Sequence, residues 1–280
     1  MKKLNIRSFA SSRRLAGSDK RRVMKQNVFG FLMGCALVVA APLAAQENQA
    51  WPERTFVTID VPFQPLNNDF SESLSFADTV RKTENVTFVT GYASTRGALF
   101  DVGAGVRMAN NLGLGVTASW FQRSSSGSFN LMVPNPLAAN KPLDLAGSVT
   151  GLNRNELGIH IQALYALALG NRVRLMLAGG PSIFKTKQDL VRSLEFDILP
   201  GFTSLQLDQA LVTQVNQTVV GFNVGADITW PLSSHLGVGT VTRYSRAKVT
   251  MDPGAESGVR RAIEMHAGGL QIGGGLRLLF

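Results

Sequence analysis

The sequence predicts an all-β protein: an eight-stranded antiparallel, up-and-down transmembrane β-barrel, with short turns at one end and long loops at the other. Three observations predict it. Segment after segment alternates apolar and polar residues with period two, the mark of a strand with two unlike faces. The connections between these segments alternate in length, short then long. Aromatic residues fall at two heights along the strands, separated by about the thickness of a hydrocarbon layer.

A leader comes first. The 280 residues include 28 Lys and Arg against 19 Asp and Glu, for a formal net charge of +9. Nine of the basic residues and one acid, Asp19, lie in 1–45, which leaves 19 basic and 18 acidic residues beyond it. The basicity therefore belongs to the leader, and no nucleic-acid partner is expected. Basic residues up to Lys25 precede an apolar run from Val28 to Val39 and small residues through Ala45. That is the order of a cleavable secretory signal. The run is short for a spanning helix of about 20 residues, and Pro42 interrupts its end. Cleavage is expected after Ala45, with 46–53 an N-terminal segment and 54–280 the barrel; Met24 offers an alternative start.

Neither Arg13-Arg14 nor Arg21-Arg22 is followed by the apolar residues of a twin-arginine signal, so the general secretory route is expected. Cys35 is the only cysteine and lies inside the apolar run. Leu32-Met33-Gly34-Cys35 faintly resembles a lipoprotein processing box, but the run continues past it. If Cys35 leaves with the signal, the mature chain has no thiol, which suits an oxidising compartment.

The strands follow in order. Near 54–66, Val57, Ile59, Val61 and Phe63 oppose Thr58, Asp60 and Gln64. In 98–108, Phe100, Val102, Val106 and Met108 oppose Asp101 and Arg107. In 112–121, Leu112, Leu114, Val116 and Trp120 oppose Thr117 and Ser119. In 155–169, Leu157, Ile159, Ile161, Tyr165, Leu167 and Leu169 oppose Glu156, His160 and Gln162. In 172–184, Val173, Leu175, Leu177 and Ile183 oppose Arg172, Arg174 and Ser182. In 220–232, Val220, Phe222, Val224, Ala226, Ile228, Trp230 and Leu232 oppose Asn223, Asp227 and Thr229. In 236–249, Leu236, Val238 and Tyr244 oppose Arg243. The last strand sets Leu270, Ile272, Leu276, Leu278 and Phe280 against Gln271 and Arg277.

Tight turns are expected at Ala109-Asn110-Asn111, Gly170-Asn171 and Ser233-Ser234-His235. The other connections, 67–97, 122–154, 185–219 and 250–263, read as long loops. A soluble sandwich or lipocalin-like barrel alternates too, but buries its apolar face. Aromatic placement separates the two. Phe100, Trp120 and Tyr244 each lie eight residues from Met108, Leu112 and Leu236, roughly 20 Å along a tilted barrel axis. Trp230 and Phe280 mark the other end. Inward glycines, among them Gly103, Gly115, Gly239 and Gly275, suit a narrow barrel.

With those residues in view, the chain resembles the small outer-membrane β-barrel domain proteins of the OmpA and OmpW type. The resemblance rests on the C-terminal stretch from Gly268 to Phe280. It is supported by Phe100 to Arg107, by Gly180-Pro181-Ser182 with Lys187-Gln188-Asp189-Leu190, and by Gly221 to Asp227. It does not extend to a peptidoglycan-binding domain, so no wall-tethering role is implied. It does imply a location in the outer membrane of a Gram-negative bacterium and partnership with outer-membrane lipid and lipopolysaccharide. Periplasmic chaperones and the barrel assembly machinery are implied as well, the latter reading Ile272, Leu276, Leu278 and Phe280. A small hydrophobic molecule is a further candidate partner.

Candidate site residues form two sets. Asp101, Arg107, Glu156, His160, Arg174, Asn223, Asp227, Arg243, Gln271 and Arg277 are expected to point inward as a lumen polar network. Buried charges need partners, so a plugged lumen is the expectation, with an open ion path the rival. Phe100, Trp120, Trp230, Tyr244 and Phe280 are expected to form aromatic girdles. No catalytic, cofactor or metal residues are assigned. His160, His235 and His266 are scattered and show no ligand spacing or triad. Gly103-Ala104-Gly105 and Gly273-Gly274-Gly275 are strand glycines, since neither opens a helix.

Specific binding is expected in the long loops. Residues 124–153, with Pro134, Pro136 and Pro142, read as an irregular excursion. Residues 68–92 alternate enough to extend the first hairpin above the membrane. In the third loop, Leu194, Phe196, Ile198, Leu199, Phe202, Leu205 and Leu207 either cap the mouth or admit a hydrophobic solute. A structural or surface-interaction barrel is the first reading, a passive conduit for small hydrophobic molecules the second and a lipid-modifying barrel enzyme the third.

Overall fold

The computed structural model describes residues 53–77, 85–93, 96–138, 141–169, 173–254 and 262–280. The leader, its cleavage site, Cys35 and the Gly170-Asn171 turn lie outside the described residues. Eleven strands follow one another, with no helix among the described residues. They are β1 (Thr55–Gln64), β2 (Phe70–Ala77), β3 (Asn85–Ala93), β4 (Gly97–Ala98), β5 (Phe100–Ala109) and β6 (Leu112–Val133). Then come β7 (Leu143–Ala168), β8 (Arg174–Ile198), β9 (Leu205–Pro231), β10 (Leu236–Met251) and β11 (Ile263–Leu279).

Eight of these strands close a ring in the order β6, β5, β1, β11, β10, β9, β8, β7 and back to β6. Every pairing is antiparallel. The first and last strands meet along the seam from Phe56↔Leu279 to Phe63↔Ile272. This is the predicted eight-stranded up-and-down barrel. Around the lower part of the ring every strand pairs with two neighbours, the condition for a sheet to cross lipid; above it β9 and β10 pair no further than Phe222↔Arg246.

Side-chain exposure is inverted relative to a soluble barrel. On β9, Val220, Phe222, Val224 and Trp230 face outward and are exposed, while Asn223 and Thr229 are buried inside. Leu114, Val116 and Trp120 on β6, and Ile159 and Ile161 on β7, continue the same apolar belt. From Val220 to Trp230, at ~3.3 Å per residue and ~40° of tilt, the belt is roughly 25 Å tall. That height matches a bilayer's hydrocarbon core. The ring is a membrane-spanning barrel by its own surface chemistry.

Above the belt the polarity reverses on the same strands. On β8 the outward residues change from Leu177 and Ile183 to Lys185 and Lys187. Its inward residues change from Ser182, Thr186 and Gln188 to Leu190, Val191, Leu194 and Phe196. On β10, Val238 gives way outside to Arg246 and Lys248, and Ala247, Val249 and Met251 are buried inside. The upper half therefore holds an apolar core. Phe88, Phe129, Leu152, Phe184, Leu190 and Met265 belong to it. A smaller apolar group of Phe56, Leu164, Ala166, Met176 and Leu279 packs near the short turns.

That reversal corrects the expected loops. Residues 122–154 and 185–219 are mostly strand: β6 and β7 pair up to Val133↔Leu143, and β8 and β9 up to Ile198↔Leu205. At 25 and 27 residues, β8 and β9 far exceed the length needed to cross a bilayer. The excursion expected over 124–153 is a regular hairpin, bulged between Ser125 and Gly127, with Pro134, Pro136 and Pro142 in its connection. Loop 250–263 narrows to the stretch between Met251 and Ile263. Within 67–97, β2 and β3 form a hairpin that pairs with the upper part of β6 rather than prolonging β1. Period-two alternation persists in all these stretches, but its apolar residues have moved to the inner face.

Candidate functional site

The interior of the barrel collects the charged side chains in stacked levels. Nearest the short turns, Arg174 at the start of β8 grips Glu53, the residue ahead of β1, through two bonds of 2.5 and 2.8 Å. This bidentate geometry suits a guanidinium facing a carboxylate. One level higher, the buried Arg277 bridges two acids. Its Nη1 donates to Asp60 Oδ1 at 2.7 Å, and its Nη2 to Asp227 Oδ2. Thr229 Oγ1 donates to the other Asp227 oxygen at 2.7 Å. Gly239 lies under this guanidinium, and a Cβ there would sit 2.8 Å from Nε.

The middle level is a continuous chain across the lumen. Arg243 donates to Asp101 at 2.5 Å, to Ser119 Oγ at 2.9 Å and, through Nε, to Gln271 at 2.8 Å. Ser119 Oγ lies 2.7 Å from His160 Nε2, and His160 Nδ1 lies 2.7 Å from Ser182 Oγ. Asn223 donates to Ser182 at 2.9 Å and accepts from Gln162 at 2.8 Å. Seven strands, β5 to β11, contribute to this one network. Packing of the His160 ring edge-on to Phe184, 5.6 Å between centroids, begins the transition to the apolar core.

At the upper level, Arg154 pairs with Glu156 at 3.1 Å and donates to the His266 carbonyl at 2.8 Å. Glu156 also accepts from the Gly268 amide at 2.7 Å. Gly268 has a φ of +81°, a conformation that favours glycine and turns this amide inward. Among the described residues, Nε and Nη1 of Arg154 have no partner.

The structure thus brings Asp101, Glu156, His160, Arg174, Asn223, Asp227, Arg243, Gln271 and Arg277 into the lumen. Arg107 is half-buried two residues from the end of β5, closer to the short turn. Phe100, Trp120, Trp230 and Phe280 are exposed on the outside, and Phe100 is the cross-strand partner of Trp120. Tyr244, half-exposed, lies 6.1 Å from Phe222 and accepts from Arg246. Ile272 and Leu276 face outward on β11 beside Phe280.

Several partners are absent from the sequence-derived network. Asp60 was placed on the polar face of the first strand, yet nothing in the alternation marks it as the mate of Arg277. Arg154 stands one residue before the expected start of its strand. Ser119 and Ser182 carry no charge to draw notice, and Glu53 precedes any periodic segment.

Chemically the site neutralises charge rather than exposing it. Ser119 and His160 are spaced like a nucleophile and its base, but both are buried, and the nearby carboxylate of Asp101 is engaged by Arg243 instead. A cavity of about 60 Å³ between Asp60, Thr117, Gln162 and Arg243 has room for only a few waters. Among the described residues no three His, Cys, Asp or Glu side chains gather into a metal-binding group.

Belt, lumen and ring together define a transmembrane β-barrel with a filled lumen. No family model matches the chain, and no curated protein does. It is similar to solved structures of bacterial outer-membrane proteins. One is the protein OprG from Pseudomonas aeruginosa, at 11% identity and a TM-score of 0.49, covering 84% of this chain and 99% of that one. Another is Neisserial surface protein A, at 13% and 0.40, covering 81% and 97%. A third is the outer membrane protease OmpT from Escherichia coli, at 8% and 0.41, covering 84% and 99%. Likenesses this distant assign no function, and the barrel class rests on the chain's own strand ring and surface.

Proposed function

We propose that this chain is an integral outer-membrane barrel with a structural or surface-interaction role, exported by the general secretory route. One observation carries the reading: ion-paired levels fill the lumen within the belt, and an apolar core fills it above. A conducting pore needs a wet, continuous path, and these levels interrupt one four times over. The long upper half is then a rigid, water-facing β-platform suited to contact with other surfaces, without catalysis.

The exposed Phe100, Trp120, Trp230 and Phe280, with Tyr244, fit rings resting at lipid headgroups. The outward Ile272, Leu276, Leu278 and Phe280 fit the strand read by the assembly machinery. Purified protein in a planar bilayer is expected to be silent. Steady conductance in the wild-type protein would overturn the plugged reading.

A passive conduit for small hydrophobic molecules is the second reading. It draws on the apolar interior formed by Leu194, Phe196 and Leu205. It is also favoured by the end of β9–β10 pairing at Phe222↔Arg246, which leaves the wall unzipped above. Solute uptake into proteoliposomes that disappears on deleting 194–207 would favour it.

A further inference from the structure

Two inward arginines stand side by side on neighbouring strands. Arg123 on β6 and Arg154 on β7 are register partners, so their Cβ atoms lie roughly 5 Å apart on the same face. Like charges placed directly opposite repel, and inside a barrel little water screens them. Arg154 is 2% exposed, and its Nη2 serves Glu156 and the His266 carbonyl. Its Nε and Nη1, and the Nε of Arg123, are buried and meet no partner among the described residues. Arg123 lies across the bare backbone of Gly97, where a Cβ would collide with it.

Acids do not balance this level. Glu156 sets a single negative charge against the two guanidiniums, which leaves one positive charge in excess. Asp189 points outward and already accepts from the Asn153 amide and from Gln214. Glu72 is buried on β2, but its register partner Thr90 pairs with Phe129, six residues above Arg123 on β6. The other inward groups here, Gln64 and Gln188, are neutral. Hydroxyls beside the ion pair are open as well. Thr186, the register partner of Glu156, and Ser245, next to Gly268, have buried oxygens without partners among the described residues.

Apolar side chains close the level from above and below. Leu152 and Leu190 lie two residues above Arg154 and Gln188, and Phe184 two residues below Thr186, all of them buried. Such walls favour a small ligand, strengthen its attraction to a cation, and one surplus cation calls for one negative charge. The β7–β8 ladder stops at Arg154↔Gln188, so this level sits at the upper limit of the sealed wall between these strands. We infer that the lumen binds a small monovalent anion of the halide class between Arg123 and Arg154, with their free N–H groups as its donors. The site goes beyond the structural reading, and its test does not depend on that reading.

The test uses the mature protein folded in detergent, with folding checked by its faster migration in unboiled SDS gels. Crystals grown in bromide are expected to show an anomalous peak between the two guanidiniums. In solution, the temperature at which the unboiled band is lost is compared in sodium chloride and in sodium gluconate at equal ionic strength. Chloride is expected to raise it by about 3 °C or more, since gluconate is too large for the site. Arg123→Gln leaves Arg154 and Glu156 as a balanced pair. That variant is expected to lose the chloride response while folding at least as well in gluconate. Lys185→Gln, which removes an outward cation on β8, is expected to keep the response. Water alone at this level, with no bromide, overturns the inference, as does bromide confined to the outer surface. Equal temperatures in the two salts overturn it too, and so does a full chloride response in Arg123→Gln. If that variant fails to fold, the bromide map of the wild type still decides.

Discussion

Arg277 on the last strand and Asp60 on the first are joined at 2.7 Å across the seam that closes the barrel. The same guanidinium holds Asp227 on β9, so one side chain ties three strands. Removing it would strand the buried Asp60 and the half-buried Asp227. Arg277→Met is expected to lower stability by about 3–5 kcal/mol, read from urea unfolding in detergent. Adding Asp60→Asn and Asp227→Asn should restore part of that loss. If the triple variant is weaker than the single one, charge compensation is not what Arg277 supplies.

Depth sets the cost of a charge on the lipid face. Val224 lies within the belt and Thr218 above it, both pointing outward from β9. Val224→Arg is expected to cost ~2–4 kcal/mol and Thr218→Arg ~0–1, measured as folding free energy into lipid bilayers. Equal costs at the two positions would mean that the belt has been placed wrongly.

The upper half behaves as a folded core and not as loops. Phe196 and Leu190 are buried there, and Phe196→Ala is expected to cost about 3–5 kcal/mol locally. Trypsin applied to the folded protein should spare residues 185–219 in the wild type and cut there in the variant. Rapid cleavage of the wild type in that stretch would show loops instead of paired strands.

Gly268 combines a φ of +81° with an amide that serves Glu156. Gly268→Ala is expected to cost about 1–3 kcal/mol through backbone strain, and more because its Cβ would sit 2.5 Å from the Ser245 carbonyl oxygen, lowering the temperature at which the unboiled gel band disappears. Gly151, also at positive φ but with open space around its Cα, separates strain from lost contact. Its alanine variant should show the strain alone. Matching losses at both sites would mean that the close approach of Ser245, and any shift of the amide that serves Glu156, adds nothing.

Replacing His160 tests the middle level. Ser119 and Ser182 retain Arg243 and Asn223 as donors when the imidazole is gone. His160→Leu is therefore expected to cost only ~1–3 kcal/mol and to leave the bilayer recording silent. New conductance in that variant would identify the histidine as the plug itself.

Much of the belt was legible from the chain alone. Where a strand crosses lipid, one face must be apolar along its whole run, and Leu157, Ile159 and Ile161 announce it. The same logic placed Asp101, Arg243 and Arg277 inside. It failed above the belt because the signal changes sides there. Lys185 and Lys187 alternate with Thr186 and Gln188 as regularly as before, but without an outward apolar row the stretch resembles a loop.

Local alternation and its period determined the number of membrane strands, their faces and their short turns, because those depend only on a side chain's own position along a strand. Partnership did not follow from it. That Asp60 meets Arg277, that Ser119 and Ser182 bracket His160, and that Arg243 reaches Asp101 depend on how distant strands are staggered. Only closure of the sheet sets that stagger, since the first and last strands must meet in one register before any inward charge acquires its mate.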